Sequence, residues 1–401
     1  MAYSDDKRFD VIVVGAGIMG SCAAYEIAKR GFKVLLLEQF DFLHHRGSSH
    51  GESRTIRATY RDPYYPPLVM ESITLWEQAE SESGYKVYFK SSHLDIGSNH
   101  STGLRAIIEN CRLHSIPHRV LDQTQVHQQF SGRIQLPENW IGVVSEVGGI
   151  VKPTKAVSMF QALALKRGAV LKDNSEVKEI ERDEGGDGVV VSTVNSQRFW
   201  GRKCVVSAGP WMSKLVKRIN PAAMELPIQP LEVSAFYWRI KEGHEDEFTF
   251  EGGFPTFASH GDPHIFGTPS LEFPGLIKIP FDGGRPCDPD QRSWSSLPTL
   301  VDSVKEWIQE TFGDRVESAG PVMVQSCMYS MTPDKDYVID FLGGDEWGKR
   351  VVVAGGFSGH GFKMGPVVGR ILADLALTGE AKGVNLEHFR LKRFEGKAEK
   401  L

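Results

Sequence analysis

The stretch GAGIMG, residues 15–20, follows an apolar run, DVIVV (10–14), and precedes ten residues that favour a helix. Glycines at this spacing allow a tight turn, let the backbone approach a pyrophosphate and let the helix pack closely on the strand. A second apolar run ends on Glu38, whose carboxylate can accept hydrogen bonds from ribose hydroxyls. The sequence therefore predicts a dinucleotide-binding unit. Its predicted cofactor contacts are Gly15, Gly17, Ile18, Met19, Gly20, Glu38 and Gln39.

The type of dinucleotide is indicated by a second glycine loop, because the first motif alone does not separate NAD from FAD. The Rossmann unit lies at the N-terminal end of the chain, whereas the loop GGFSGHG (355–361) lies near the C-terminal end. An elongated cofactor that is held at both ends by one chain fits FAD. We therefore expect FAD rather than a nicotinamide.

Length, charge and cysteine usage narrow the class of protein. With 401 residues the chain exceeds one simple core, so we expect two domains or one with a large insertion. The net charge of −5 comes without a long basic run, which argues against nucleic acid as a partner. Five scattered cysteines without a C-x-x-C pair argue against a disulfide scaffold and a metal site. Glycines and charges interrupt the apolar stretches, so no membrane span is expected.

The order of strand-like and helix-like segments predicts an α/β fold with two domains. One is a glutathione-reductase-like, Rossmann-type FAD-binding domain, and the other is an α+β substrate domain with a mixed sheet that has one exposed face. The strand-like segment 232–240 is typical of the second domain because its residues alternate. The FAD-binding domain is expected from residues 1–87, 145–220 and 325–401, and the substrate-binding domain from residues 88–144 and 221–324.

Three further motifs, in the same order after the Rossmann unit, carry a family resemblance. GSSHGESRTIR (47–57), CMYSMTPD (327–334) and GGFSGHGFK (355–363) closely resemble the monomeric sarcosine oxidase family, and within it the eukaryotic, plant-type sarcosine/L-pipecolate oxidases. The resemblance covers essentially the whole chain. It implies an FAD-dependent oxidation of the C–N bond of a secondary amino acid, with electrons passed to molecular oxygen to give hydrogen peroxide.

The resemblance implies that FAD is bound covalently, through its 8α-methyl carbon, to the sulfur of Cys327. The surrounding run of residues is mostly apolar, so on its own it would indicate a buried, inert thiol. The Cys-Met-Tyr context favours the thioether instead. Such a bond fixes the flavin and, by withdrawing electron density, makes it a stronger oxidant.

The polar loop 47–57 resembles the family's flavin-facing loop, although by composition alone it would be a solvated loop. The resemblance implies further cofactor contacts and a set of catalytic residues. The further cofactor contacts are Ser48, Ser49, Arg54, Val177, Cys327, Gly356, Ser358, Gly359, His360, Gly361 and Lys363. The catalytic residues are Lys278, Arg54, His50 and Tyr329.

The substrate carboxylate is assigned by the resemblance to Arg57 and Lys363, on opposite sides of the flavin. A guanidinium can bind a carboxylate through two hydrogen bonds, and an ammonium adds a point charge. Lys278 falls where the family keeps a lysine for activating dioxygen, whereas an isolated lysine in a strand would otherwise be an edge residue. The summed positive charge favours the neutral substrate amine, so no dedicated general base is expected.

Two residues depart from the family pattern and are expected to bind substrate. Asp282 stands where the family often has a histidine, and an inward-pointing carboxylate would oppose carboxylate binding. It either points away or accepts the secondary ammonium of a different substrate. Phe266 falls where some members carry a tyrosine, which suggests an apolar wall with room for a ring.

These features predict oxidation of L-pipecolate or sarcosine at the carbon next to nitrogen. Sarcosine would yield glycine and formaldehyde, and L-pipecolate would yield the cyclic imino acid of lysine breakdown. A deglycating oxidase of fructosyl amino acids is an alternative on the same fold, and a low-turnover flavin-binding sensor is a second one.

The cellular address and the assembly state are also expectations. The chain ends in Glu399-Lys400-Leu401, which keeps the Lys-Leu of the peroxisomal Ser-Lys-Leu signal but replaces its small residue by a carboxylate. We expect a peroxisomal monomer whose tail is read by the import receptor, with the cytoplasm as the alternative location.

Overall fold

A computed structural model describes residue 4 and residues 7–219, 226–294, 301–343 and 347–395. Within these ranges twenty strands and eight α-helices are numbered here in chain order. The strands β1 to β20 are Arg8–Val14, Val34–Leu37, Arg54–Arg57, Tyr88–Lys90, His93–Ser98, His118–Asp122, Trp140–Ser145, Gly148–Val151, Val170–Lys172, Val177–Arg182, Val189–Thr193, Arg198–Val206, Gln229–Arg239, Thr256–Ser259, Ile265–Gly267, Leu276–Lys278, Arg285–Pro286, Met323–Met331, Val338–Phe341 and Val351–Gly355. The helices α1 to α8 are Ile18–Lys29, Tyr65–Ser83, Thr102–Leu113, Gln123–Gln129, Pro153–Lys166, Met212–Ile219, Val301–Phe312 and Gly365–Thr378.

The largest sheet has eight strands and a parallel centre in the order β9, β2, β1, β12, β20. The strand β19 pairs antiparallel with β20, and the β10–β11 hairpin pairs antiparallel with the first half of β12. Strands β1 and β2 are almost entirely apolar because both faces of the sheet are covered. The sheet therefore combines the N-terminal Rossmann unit with strands from the middle and the end of the chain.

Helix α1 packs unusually closely against helix α8, which begins just after the second glycine loop. A Cβ atom on Gly369 would lie 2.4 Å from Cβ of Cys22, and one on Gly365 would lie 2.5 Å from Cγ1 of Ile18. Both positions therefore require glycine. This contact brings the C-terminal loop next to the N-terminal cradle, across nearly the whole length of the sequence.

Three smaller sheets complete the fold. A mixed five-stranded sheet has the order β15, β14, β5, β7, β6, with β14 and β5 parallel. In an antiparallel four-stranded sheet, β13 pairs with β16 and β17 along one edge and with β18 along the other. A three-stranded antiparallel sheet, β3–β8–β4, carries the last residues of the polar loop 47–57. The expected combination of a Rossmann-type domain with an α+β region that contains a mixed sheet is confirmed.

The strand predicted over 232–240 differs from expectation in its surroundings. It is β13, which lies in the antiparallel sheet rather than in the mixed one, and most of its residues are buried. Phe236 and Trp238 pack into the core of the substrate region, while Tyr237 on the other face contacts the ring of Phe273. Other segments cover the face that the alternating pattern assigned to solvent.

Membrane and metal features were searched over the residues that the structure describes. None of their helices combines the length and apolar character that a bilayer crossing requires. Across the same residues no three His, Cys, Asp or Glu side chains are grouped as metal ligands.

Candidate active site

The N-terminal cradle has a backbone that only glycine can adopt. Gly15 has a φ of +97°, and a Cβ atom there would lie 2.6 Å from the carbonyl oxygen of Ser207. A Cβ atom on Gly20 would lie 1.9 Å from the oxygen of Gly15. The amide of Ile18, at the N-terminus of α1, donates to Oγ of Ser49 at 3.1 Å. An oxygen atom thus already occupies the type of position that a phosphate takes at a helix N-terminus.

Glu38 is buried at the end of β2, where the Rossmann unit places its acid. Its Oε2 accepts from the amide of Ala16 at 2.8 Å, and its Oε1 accepts from the amide of Phe40 at 3.1 Å. The carboxylate therefore links the cradle to the turn after β2 and is fixed in orientation.

A groove of about 400 Å³ connects this cradle to the C-terminal glycine loop. This volume is within the range of cofactor pockets, and one chain supplies both ends. The predicted site residues that line it are Gly15, Gly17, Ile18, Met19, Glu38, Gln39, Ser48, Ser49, Arg54, Val177, Cys327, Tyr329, Ser358, Gly359 and Gly361. A long dinucleotide such as FAD fits this donor set.

Other predicted residues do not line this groove. Gly20 and Gly356 lie behind it, where Cβ atoms would meet Gly15 and Thr332 at 1.9 and 2.4 Å. The remaining predicted side chains also lie outside the lining of the groove. They are His50, Arg57, Phe266, Lys278, Asp282, His360 and Lys363.

Arg54 joins the polar loop to the predicted flavin-bearing cysteine. Its Nη2 donates to the carbonyl oxygen of His50 at 2.7 Å and lies 3.5 Å from Sγ of Cys327. Its Nη1 donates to the carbonyl oxygen of Ser53 at 2.8 Å. These contacts hold a guanidinium charge against a buried sulfur.

His50 is buried beside Arg54, and neither of its ring nitrogens has a hydrogen-bond partner among the described residues. Burial, and after it the charge of Arg54, lowers the pKa of His50 to about 3. The imidazole is therefore neutral at physiological pH. Its unpaired nitrogens are free to contact a group that this protein binds.

Lys278 is buried, and its Nζ donates to the carbonyl oxygen of Ser53 at 2.8 Å. Burial, and then the charge of Arg54, lowers the pKa of Lys278 to about 7. The resemblance implied a fixed cation at this position. In the structure the charge of this lysine instead depends on pH and on what is bound nearby.

Arg57 and Lys363 converge on one aromatic ring that the sequence analysis did not single out. The Arg57 guanidinium lies 4.5 Å from the ring centroid of Tyr60, and Nζ of Lys363 donates to the Tyr60 hydroxyl at 3.3 Å. Nζ of Lys363 also donates to the carbonyl oxygen of His360 at 3.2 Å. The two predicted carboxylate-binding side chains are thus brought together by Tyr60.

The electrostatics of Lys363 follow from its surroundings. Burial, and next the charge of Arg57, holds the pKa of Lys363 well below its usual range. Two like charges placed in a buried site disfavour each other, so a bound carboxylate would stabilise the protonated amine. The carbonyl oxygen of Lys363 accepts from Ser72 and Trp76 of α2, which fixes the turn.

His360 lies with its side chain among tyrosines rather than in the groove. Its Nε2 donates to the carbonyl oxygen of Lys335 at 3.0 Å, and its Nδ1 accepts from the hydroxyl of Tyr337 at 2.8 Å. Burial, and then Lys363, lowers the pKa of His360 to about 3. The His360 ring is therefore neutral. The backbone oxygen of His360, rather than its ring, contacts and positions Lys363.

Tyr329 and the glycine loop pack directly on each other. A Cβ atom on Gly359 would lie 3.0 Å from the Tyr329 ring, and Gly359 has a φ of +78°. Ser358 accepts from the amide of Thr332 at 3.1 Å and so ties the loop to the end of β18. The loop therefore follows the strand that carries Cys327.

Asp282 lies beside His264, with Oδ2 at 3.2 Å from Nδ1 of the imidazole. About a third of each side chain is exposed, as is part of the Phe266 side chain on the same hairpin. No sequence motif pointed to His264, because its contact with Asp282 depends on strand register. Trp211, which lines the cofactor groove, was also missed, although its place after the Ala208–Gly209 turn marks the end of a Rossmann strand.

Comparisons with known proteins agree with this architecture. Residues 10–375 match the model of the FAD dependent oxidoreductase family. A probable sarcosine oxidase of Arabidopsis thaliana is 61% identical over 398 residues, which is 98% of this chain and 95% of that protein. The peroxisomal sarcosine oxidase of Homo sapiens is 33% identical over 96% of both chains.

A solved structure supports the fold alone. The L-proline dehydrogenase from P. horikoshii superposes with a TM-score of 0.82, covers 97% of this chain and 98% of its own, and is 21% identical.

Proposed function

Because the chain belongs to the FAD dependent oxidoreductase family and, within it, to the flavin-dependent amine oxidases of the sarcosine oxidase type, we propose that it oxidises a secondary amino acid, L-pipecolate or sarcosine. The observation that carries this proposal is the meeting of Arg57 and Lys363 at Tyr60, near a groove that suits FAD. A pair of cationic side chains is what an α-carboxylate requires.

FAD supplies the two-electron oxidising chemistry when it is bound. The protein's own contribution begins with the cradle of Gly15 and Gly20, which leaves the backbone open to the pyrophosphate. Glu38 supplies the acceptor for the ribose, and the neutral His50 supplies ring nitrogens that have no hydrogen-bond partner among the described residues. We infer that these residues hold the cofactor along the groove.

The covalent attachment at Cys327 forms part of the proposal. Its support is the guanidinium of Arg54, 3.5 Å from the sulfur, together with the position of Cys327 on the groove wall. The guanidinium fixes the position of the sulfur beside the groove in which the flavin would lie. The buried environment shields this sulfur from competing reactions.

Substrate orientation follows from the cationic pair. With its carboxylate at Arg57 and Lys363, an amino acid has its nitrogen and the adjacent carbon confined to a small region next to the groove. We infer that Phe266, whose side chain is partly exposed, would supply an apolar wall for a ring or a longer N-alkyl chain. L-Pipecolate and sarcosine both meet these requirements.

Dioxygen is the proposed electron acceptor, and Lys278 is the proposed residue that promotes its reduction. When protonated, Lys278 places a positive charge where negative charge develops on oxygen. The ammonium is already oriented by Ser53, so little reorganisation is needed. Hydrogen peroxide is the expected product.

The proposed function is tested with a panel of N-methyl, cyclic and fructosyl amino acids under air, with peroxide detection. Sarcosine or L-pipecolate is expected to give peroxide at the highest kcat/KM. A preference for fructosyl amino acids would identify a deglycating oxidase. Absence of peroxide with every compound would refute the oxidase function and leave a flavin-binding sensor.

We propose a peroxisomal monomer, with the cytoplasm as the alternative location. One chain supplies both ends of the cofactor groove, and a 33% identical human relative is named a peroxisomal enzyme. Glu399, Lys400 and Leu401 lie outside the described residues. A fluorescent protein fused ahead of residues 390–401 is expected in punctate organelles. Diffuse fluorescence that becomes punctate after Glu399→Ser would show that the natural tail is not a working signal.

A further inference from the structure

The hairpin that carries Lys278 has one face in the core and the other face toward Ser53 of the polar loop. Ile265, Ile277 and Ile279 are fully buried in the core of the substrate region. Residues at even positions therefore point the opposite way, because side chains alternate along a strand. On that opposite face, Thr268 contacts Oγ of Ser53 at 3.0 Å, and Lys278 contacts the Ser53 carbonyl oxygen.

The same face carries His264 and Asp282 at its outer end. The bridge between Ile265 and Phe281, and the hydrogen bond from the Asp282 amide to the His264 oxygen at 2.9 Å, place these two residues opposite each other. Phe266 lies between this pair and Thr268, so a site with apolar and charged parts runs along the face. The pair is partly exposed, with 37% of the His264 side chain and 36% of the Asp282 side chain open.

Asp282 is an anion within an otherwise cationic site. Burial alone would raise the pKa of Asp282, but contact with His264, and then the charge of Lys335, lower it below the usual range. His260 stands behind His264, with ring centroids 5.4 Å apart, and its Nε2 donates to Asp95. Among the described residues the carboxylate of Asp282 thus has His264 as its direct partner, and it retains capacity to accept further hydrogen bonds.

We propose that Asp282, oriented by His264, receives the positively charged amino group of the substrate, so that the substrate binds as a zwitterion rather than as an amino acid anion. This inference rests on the proposed function. An ammonium group donates the hydrogen bonds that a carboxylate accepts. A zwitterionic substrate would therefore have its carboxylate matched by the cationic pair and its ammonium matched by Asp282.

Asp282 therefore has opposite effects on binding and on reactivity. An anion next to the nitrogen stabilises the ammonium form, whereas only the neutral amine has a lone pair that assists loss of a hydride from the adjacent carbon. The bound ammonium must release one proton to water before oxidation. Asp282 consequently strengthens substrate capture and raises the pH at which the bound amine becomes reactive.

The binding part is tested on the FAD-loaded enzyme with two inert ligands of equal shape, followed by the flavin absorbance. Trimethylglycine carries a permanent positive charge, and 3,3-dimethylbutanoate is its uncharged isostere at that end. The natural enzyme is expected to bind trimethylglycine about tenfold more tightly. Equal affinities in the natural enzyme would overturn the proposal without any variant.

Variants then assign the charge preference to the pair. Asp282→Asn is expected to bring the ratio of the affinities for trimethylglycine and 3,3-dimethylbutanoate close to one. His264→Gln is expected to lower this ratio to an intermediate value, because the carboxylate of Asp282 loses its orientation. Asp262→Asn removes an exposed carboxylate two residues from His264 and is expected to retain the tenfold ratio. An unchanged ratio in Asp282→Asn would also overturn the proposal.

The reactivity part is measured as anaerobic flavin reduction by saturating sarcosine across pH. Loss of the anion is expected to lower the apparent pKa of the limiting rate in Asp282→Asn by about one unit, while its KM rises. An upward shift would contradict the assignment. If no secondary amino acid reduces the flavin of the natural enzyme, the proposed function fails, whereas the ligand ratio still tests the cation site.

Discussion

Nη2 of Arg54 lies 3.5 Å from Sγ of Cys327, although 273 residues separate the two in the sequence. The contact joins the polar loop after β2 to the middle of β18, on the wall of the cofactor groove. The contact fixes the sulfur that we propose as the point of covalent flavin attachment.

Replacement of Cys327 is expected to release the flavin from covalent attachment. After acid precipitation, the yellow colour should stay with the natural protein and move to the supernatant with Cys327→Ser. Cys287→Ser is the matched control, because Cys287 is only partly buried and does not line the groove. Colour in the supernatant from the natural protein would contradict the thioether.

Loss of the Lys363 charge is expected to weaken the substrate carboxylate interaction. Lys363→Met keeps much of the chain volume but leaves Arg57 as the remaining cation. Removal of one partner of a buried charge-assisted contact costs about 2–5 kcal/mol, which appears in kcat/KM for sarcosine and L-pipecolate. An unchanged kcat/KM would show that the carboxylate binds elsewhere.

Tyr60 is expected to act as a positioning residue for both cations. Tyr60→Phe removes the acceptor for Lys363 but keeps the ring under Arg57, so it should raise KM and leave kcat close to that of the natural enzyme. Tyr60→Leu removes both contacts and should raise KM further. Equal effects of the two variants on KM would argue that the hydroxyl alone matters.

Lys278 is expected to govern reaction with dioxygen, and its effect should depend on pH. Because burial lowers the pKa of Lys278 to about 7, the ammonium is present below that pH and is lost above it. Reoxidation of the reduced enzyme by air should slow as the pH rises through about 7. Lys278→Met should be slow at every pH while anaerobic reduction by substrate changes little. Equal slowing of both half-reactions would assign Lys278 to pocket shape instead.

Gly20 is expected to be indispensable for the cofactor cradle. A Cβ atom there would lie 1.9 Å from the Gly15 oxygen, so Gly20→Ala must displace the turn that faces the pyrophosphate. Flavin content after purification should fall sharply. Gly320→Ala is the control and should retain flavin, since no atom of the described ranges beyond its chain neighbours lies within 4 Å of its added Cβ. Full flavin content in Gly20→Ala would contradict this account of the cradle.

Short-range information determined the cofactor-binding part of this protein. The spacing of Gly15, Gly17 and Gly20 between an apolar strand and a helix is legible because turn conformation and strand burial are properties of neighbouring residues. The match of residues 10–375 to the family and the eight-stranded sheet agree with that prediction. The alternating pattern of 232–240 was less informative, since it does not reveal which segments cover a strand.

The tertiary structure alone decided how the proposed site is charged. Strand register paired His264 with Asp282, and packing of the glycine loop on α2 and the polar loop brought Lys363 to Tyr60 and Arg57. The pKa of a lysine depends on its burial and on charges within a few ångströms, which come from segments far apart in the chain. Residue types could therefore be assigned from the sequence, whereas the lowered pKa values of Lys278 and Lys363 arise only when those segments fold against one another.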